Sequence, residues 1–196
     1  LQAPFSLRYS APVSTKLGAV LYLFIEGCLI DIIFLMDFSG GTEDKRSSYL
    51  KLASSLIQEA QLGPNATQVG MVRYSGPGRT DTVFHLNKHS NLTKLVQEMM
   101  GAPHMGGTTR TGEAILYAVE EFAERHGGRK NSNKILVVFT DGYSQDDPLE
   151  AAQTARKQGI TIHVVAVDDE AVPPNREQLN EIAMNQKVGP IISPSS

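Results

Sequence analysis

Three apolar runs decide what this chain can fold into: "LIDIIFLMD" (29–37), "NKILVVFTDG" (133–142) and "ITIHVVAVDD" (160–169). Each is rich in Ile and Val and largely continuous rather than alternating, as in a strand covered on both faces. A sheet covered on both faces needs helices on both sides, and parallel strands need long crossovers between them. The segments in between provide these. "TEDKRSSYLKLASSLIQEAQLG" (42–63) has Tyr49, Leu50, Leu52, Ala53, Leu56, Ile57 and Ala60 at helical spacing, with Thr42 as expected N-cap and Gly63 as stop. Helices are also predicted over "NLTKLVQEMM" (91–100), "EAILYAVEEFAERHGG" (113–128), "PLEAAQTARKQG" (148–159) and "NREQLNEIAMN" (175–185). "TQVGMVRYS" (67–75) and "TDTVFHLN" (80–87) flank the turn "GPGR" and read as a hairpin, which makes one strand antiparallel. "GPIIS" (189–193) reads as a short edge strand. The expected fold class is α/β: a three-layer sandwich with a mostly parallel central sheet, one antiparallel edge strand and flanking helices.

Length and charge narrow the function. A chain of 196 residues, 41% hydrophobic and 20% charged, fits one globular domain. A net charge of −3 argues against a nucleic-acid surface, which needs a basic excess. The N-terminal stretch "LGAVLYLFIEGCLIDIIFLM" is apolar, but Glu26 and Asp31 would lie in lipid if it spanned a membrane, at high cost. "LGAVLYLFI" alone has the length of a signal-peptide core; a leader packed on the domain, or a segment foreign to the core fold, fits as well. The expected organisation is a leader or flanking segment over 1–28, a domain over 29–192 and a tail over 193–196. Cys28 is the single cysteine, so no internal disulfide forms. It reads either as a buried free thiol or, outside the cell, as one half of a bridge to another chain.

The first two buried runs reach an aspartate, Asp37 and Asp141, and in such sheets ligands bind beyond the carboxyl ends of the strands. Three loops there carry oxygen-bearing side chains: Asp37 and Ser39, then Thr108, Thr109 and Thr111, then Thr140 and Asp141. No histidine or cysteine joins them, so the donor set suits magnesium, manganese or calcium rather than zinc or copper. Hydroxyls in the inner shell with aspartates held outside through waters would leave the metal electropositive and able to take a partner's carboxylate. His85, His104 and His163 are scattered, and read as core or surface residues without a role.

"DIIFLMDFSGG", "VGMVRYS", "GGTTRTGEAI" and "ILVVFTDG" resemble, in order, the signature segments of von Willebrand factor A domains, also known as integrin inserted domains, over roughly residues 29 to 192. The resemblance implies a Rossmann-like fold and a metal-ion-dependent adhesion site of the pattern Asp-x-Ser-x-Ser, then a threonine, then an aspartate. It places Asp37, Ser39, Thr109 and Asp141 at the metal, with Ser39 as a direct ligand, Thr109 direct or through water, and the two aspartates mostly through water. The second serine falls on Gly41, so Mg2+ (or Mn2+ or Ca2+) is expected at a weakened site, unless Gly41 is there for a positive φ. The matrix members of the family look closest in style. The family also ends on a helix for which "QKVGPIISPSS" offers no period.

The function implied is a non-catalytic adhesion module. Its partner would be a protein ligand offering an Asp or Glu carboxylate, with collagen or another matrix protein as examples. No nucleic acid is expected, and a membrane only through a parent protein. An extracellular location, secreted or on a cell-surface ectodomain, agrees with the acceptor sequons at Asn65 ("NAT") and Asn91 ("NLT"). Alternatives are a member with a degenerate metal site acting as a structural or self-association unit, and an α/β hydrolase or nucleotide-binding domain. Against the last, "GGTTRTG" lacks the Walker lysine-serine pair, and Asp37 lacks the second acid two residues on that aspartyl phosphatases use.

Overall fold

The computed structural model describes residues 28–169 and 171–184. Five strands, β1 (Ile30–Asp37), β2 (Thr67–Tyr74), β3 (Thr80–Phe84), β4 (Asn133–Phe139) and β5 (Ile160–Val165), form one sheet in the order β3-β2-β1-β4-β5. All neighbours run parallel except the edge strand β3, which returns antiparallel beside β2 through the predicted hairpin. The helices are α1 (Arg46–Leu56), α2 (Leu92–Met100), α3 (Thr111–Glu120), α4 (Pro148–Lys157) and α5 (Arg176–Ala183).

Alternate residues of β1 feed two separate cores, which is why its sequence does not alternate. Ile33 and Leu35 pack with Ala114, Ile115 and Ala118 of α3, Ala152 of α4 and Leu179 of α5. Ile32, Phe34 and Met36 face the other way, onto Tyr49 and Ala53 of α1 and Leu95 and Met99 of α2. The chain leaves β1 for β2 on one side, and β4 joins on the other. The crevice above the ends of β1 and β4 is therefore the point where strand order reverses.

Three helix boundaries differ from expectation by several residues, one of them the end of α1, which stops at Leu56 rather than at Gly63. Thr42 does not cap α1: it ends a short 3-10 turn (Gly40–Thr42), and α1 begins only at Arg46, with no side-chain cap. The Thr42 hydroxyl is committed elsewhere, donating to the Asp37 carbonyl oxygen at 2.7 Å. The helix predicted to reach residue 128 stops at Glu120, and a second 3-10 turn (Glu124–His126) follows. Cys28 is exposed, so the buried-thiol reading does not hold. The leader before Cys28, the "GPIIS" strand and the tail at 193–196 lie outside the described residues.

One charged residue inside the first apolar run needs explaining. Asp31 is fully buried. Arg129 donates to it from its backbone N and from Nε, each at 2.8 Å, and the Ser132 hydroxyl adds a third bond. Arg129 also donates to the carbonyls of Pro64 and Ile30, so one guanidinium ties three segments together at the end of the sheet remote from the crevice. Removing one partner of a buried pair leaves a charge without compensation. Arg129→Met should therefore cost about 3–5 kcal/mol in urea unfolding. The double variant Arg129→Met/Asp31→Asn should recover part of that loss; equal stability of the two would refute this account.

Candidate metal centre

Asp37, the last residue of β1, points into the crevice and is fully buried. Its carboxylate accepts from the Ser39 backbone N at 3.0 Å through Oδ1, and from the Thr140 hydroxyl at 2.9 Å through Oδ2. Neither donor carries a charge. Burial, with Asp141 repelling it nearby, pushes the Asp37 carboxyl up to about 6 despite the bonds from Ser39 and Thr140 that pull it down.

The first bond turns the chain back at Ser39, whose own hydroxyl is buried and accepts from the Thr109 hydroxyl at 2.8 Å. Two hydroxyls that are 70 residues apart thus meet above the strand ends. The glycine-threonine loop carries Thr109 there. Gly106 and Gly107 take positive φ values of 65° and 89°, a conformation that L side chains rarely adopt. Two backbone bonds tie this loop to the first, Gly106 N to the Phe38 carbonyl and Gly40 N to the Gly107 carbonyl, each at 2.9 Å. Beyond it, Asp146 accepts from the backbone N atoms of Gly112 and Glu113 and closes the first turn of α3. Of the three threonines in this loop, only Thr109 meets Ser39. Thr108 is exposed, and Thr111 pairs with the buried Tyr74 hydroxyl at 3.0 Å.

Asp141 follows β4 and is almost fully buried. A Cβ added at Gly41 would lie 3.8 Å from its Oδ2, and Gly41 does not adopt a positive φ. The glycine is thus not there for its backbone freedom, and position 41 faces the crevice.

Sequence reasoning missed Lys45. Its ammonium lies 3.4 Å from Asp141 Oδ2, with both side chains only 5% exposed, and it also donates to the Val172 carbonyl. An ion pair so shielded from water is rare unless the charges need each other. The only signal in the sequence was a lysine eight residues after the first aspartate, which reads equally as a solvated helix start.

The donor set can be tested against a hard divalent cation. Two hydroxyls and two carboxylates converge, all oxygen, and no nitrogen or sulfur donor joins them. The Lys45 ammonium beside Asp141 is a stand-in cation at the same carboxylate. The residues fit such an ion, with one of the two carboxylate charges already countered from within the chain.

Known proteins share this fold. The von Willebrand factor type A domain matches residues 31–195. The human collagen alpha-6(VI) chain is 32% identical over 154 residues, covering 78% of this chain and 6% of the collagen. The Caenorhabditis elegans transmembrane cell adhesion receptor mua-3 is 32% identical over 161 residues, 74% of this chain and 4% of the receptor. This chain thus spans only a small fraction of the curated relatives it matches. Among solved structures, proximal thread matrix protein 1 of the mussel byssus, with a zinc-occupied MIDAS motif, superposes with a TM-score of 0.71 at 24% identity, over 80% of this chain and 41% of that one. Manganese-loaded TRAP protein of Plasmodium vivax gives 0.68 at 17% identity, over 86% and 68%. By its sheet order, its crevice and the match across most of its length, this chain belongs to the von Willebrand factor type A domain family.

Proposed function

We propose that this domain is a non-catalytic protein-binding module of the extracellular matrix, and that its grip on a partner depends on a divalent cation. Ser39 and Thr109 would hold the ion directly, with Asp37 and Asp141 acting through water. The observation that carries this reading is the meeting of the Ser39 and Thr109 hydroxyls beside two buried carboxylates at the reversal point of the sheet. A bound magnesium or manganese ion would offer an open position to a carboxylate oxygen of the partner. The chain's own residues do the rest. Asp37 orients the Ser39 loop through the Ser39 backbone N, Thr140 holds Asp37 in place, and Lys45 adds a second positive charge beside Asp141. Tyr143 and Val172, 49% and 50% exposed, present apolar surface on the two loops that flank Asp141 and Lys45, and would pack around the partner's acid.

Several observations support an extracellular setting. Collagen VI chains and an adhesion receptor are among the relatives. Asn65 and Asn91 are exposed, and Asn91 caps α2 with Oδ1, leaving its amide nitrogen for a glycan. No helix among the described residues is long and apolar enough to cross a membrane. The domain we assign spans 29–192, with 1–28 as leader or flank and 193–196 as tail. Lys45 and Gly41 together favour a second reading, in which the ammonium takes over from the metal and the domain serves as a structural or self-association unit.

Calorimetry separates the two. Asp141→Ala and Thr109→Ala should each weaken magnesium or manganese binding by roughly tenfold or more, the scale reached even by residues that only support ligands. Unchanged affinity in both would defeat the site assignment.

Two further substitutions address tuning. Gly41→Ser should tighten magnesium by roughly 1–3 kcal/mol. Lys45→Met should lower stability in chelator, because Asp141 loses its partner, yet should enlarge the stabilisation by magnesium, because like charges a few Å apart repel by about several kcal/mol at an effective dielectric of about 20. A magnesium-induced melting shift unchanged in Lys45→Met would mean that the ammonium does not sense the ion.

The pH dependence follows from Asp37. A carboxyl raised above its unfolded value contributes stability that is full below the ordinary value of 3.8 and is lost as pH rises through about 6. Metal-free protein should lose stability from this group across that window. The shift produced by magnesium should grow over the same window, since the cation favours ionised Asp37. Melts at several pH values, with magnesium and with chelator, would show parallel curves if Asp37 were not the group responsible.

A further inference from the structure

A second cluster of ligating side chains lies away from the crevice and plays no part in the reading above. α3 starts beside the metal centre and runs about 15 Å from it, at 1.5 Å per residue, before Glu121 follows its last residue. The Glu121 side chain is 5% exposed. Its Oε2 lies 2.7 Å from Nδ1 of His85, the residue after β3, and its Oε1 lies 3.1 Å from Nδ1 of His126 in the 3-10 turn. The two imidazoles stack with centroids 4.7 Å apart and 22° between planes. His85, which the sequence alone gives no role, thus lies with His126 against one carboxylate, each ring next to a different oxygen of Glu121.

Two features make this more than a hydrogen-bonded cluster. No lysine or arginine pairs with Glu121 among the described residues, so the side chains facing this buried carboxylate there are the two imidazoles. Nδ1 of His126 is buried and, although close to Oε1, is not aligned to hydrogen-bond to it or to anything else described. We infer that His85, Glu121 and His126 form a second metal site, for a transition-metal ion of the zinc class.

The three ligating atoms lie within 4.8 Å of one another. Zinc takes imidazole nitrogen and carboxylate oxygen at about 2.0–2.2 Å, which sets tetrahedral ligands about 3.4 Å apart. Small rotations reach that spacing, and His85, 47% exposed, is free to make them. Both imidazoles bind as neutral rings through Nδ1, the displaced protons pass to water, and a water fills the fourth position. Two nitrogens and one oxygen select against magnesium and calcium, the converse of the crevice. The scaffold is already set. Gly127, at φ 90°, closes the turn carrying His126, and a Cβ there would fall 2.6 Å from Cβ of Asn87, two residues after His85. The ion would clip the edge strand β3 to the end of α3.

The test must separate this site from the crevice, since a family member of known structure holds zinc in its MIDAS motif. Zinc titration, read by competition with a chromophoric chelator and by thermal melts, is done on the Asp141→Ala variant of this chain. One zinc should bind per chain and raise the melting temperature, and magnesium should not mimic it. Adding His85→Gln, at a half-exposed position and keeping a hydrogen-bond donor for the buried Glu121, should weaken zinc by at least about tenfold. Cobalt in place of zinc should give the visible absorption of a tetrahedral site, lost in the same double variant. Absence of zinc binding by Asp141→Ala, or equal zinc affinity with and without His85, would overturn the assignment.

Discussion

The carboxylate of Asp37 is the constraint on which the functional end of the molecule depends. It sits at the tip of a strand packed on both faces, with neutral donors around it and a like charge nearby. Burying an ionised group in this way is costly unless something compensates. The surrounding loops are shaped by that need. Ser39 folds back to offer its N–H, Thr140 turns its hydroxyl inward, and Thr42 leaves its expected capping role to bond the Asp37 carbonyl. The late start of α1 follows directly. The crevice is thus built around a negative charge that the fold itself does not fully neutralise.

Much of the architecture was legible because β1 carries no alternation: a strand serving two cores must be apolar at successive positions, and only a sheet with helices on both faces provides two cores. The antiparallel β3 was legible from the "GPGR" turn, and the caps at Asn91 and Asp147 agree with helix starts placed close to those positions. Boundaries failed where a side chain had a tertiary use. Thr42 looks like an N-cap in isolation, and nothing local indicates that its hydroxyl serves Asp37. The α3 segment kept its helical period through "FAERHGG", but the backbone tightens into a 3-10 turn that sets His126 beside Glu121.

The candidate site divides in the same way. The residue types at the strand ends were readable, because a parallel sheet brings those ends together whatever the loops do. The selection among Thr108, Thr109 and Thr111 was not readable from composition; it came with the family resemblance, and the structure brings only Thr109 to Ser39. Lys45 was invisible because its partner lies 96 positions away. The His85, Glu121 and His126 cluster was hidden for a related reason: it depends on how the edge strand and the end of α3 pack, which no local pattern encodes.

Charge shows why Lys45 and Gly41 belong together. With one ammonium beside two aspartates, the crevice would carry one net negative charge and repel an acidic partner. A bound divalent cation would reverse the sign to one net positive charge. Without the lysine the same ion would only neutralise the two aspartates. Under the proposed function, Lys45 would thus weaken the hold on the metal but strengthen the attraction of the loaded site for a carboxylate. A glycine at position 41 keeps the space beside Asp141 that the ammonium and a cation would have to share. If the proposed function holds, the glycine at position 41 and the lysine at position 45 would shift the site in one direction, from tight metal capture toward a stronger dependence of partner binding on a bound ion.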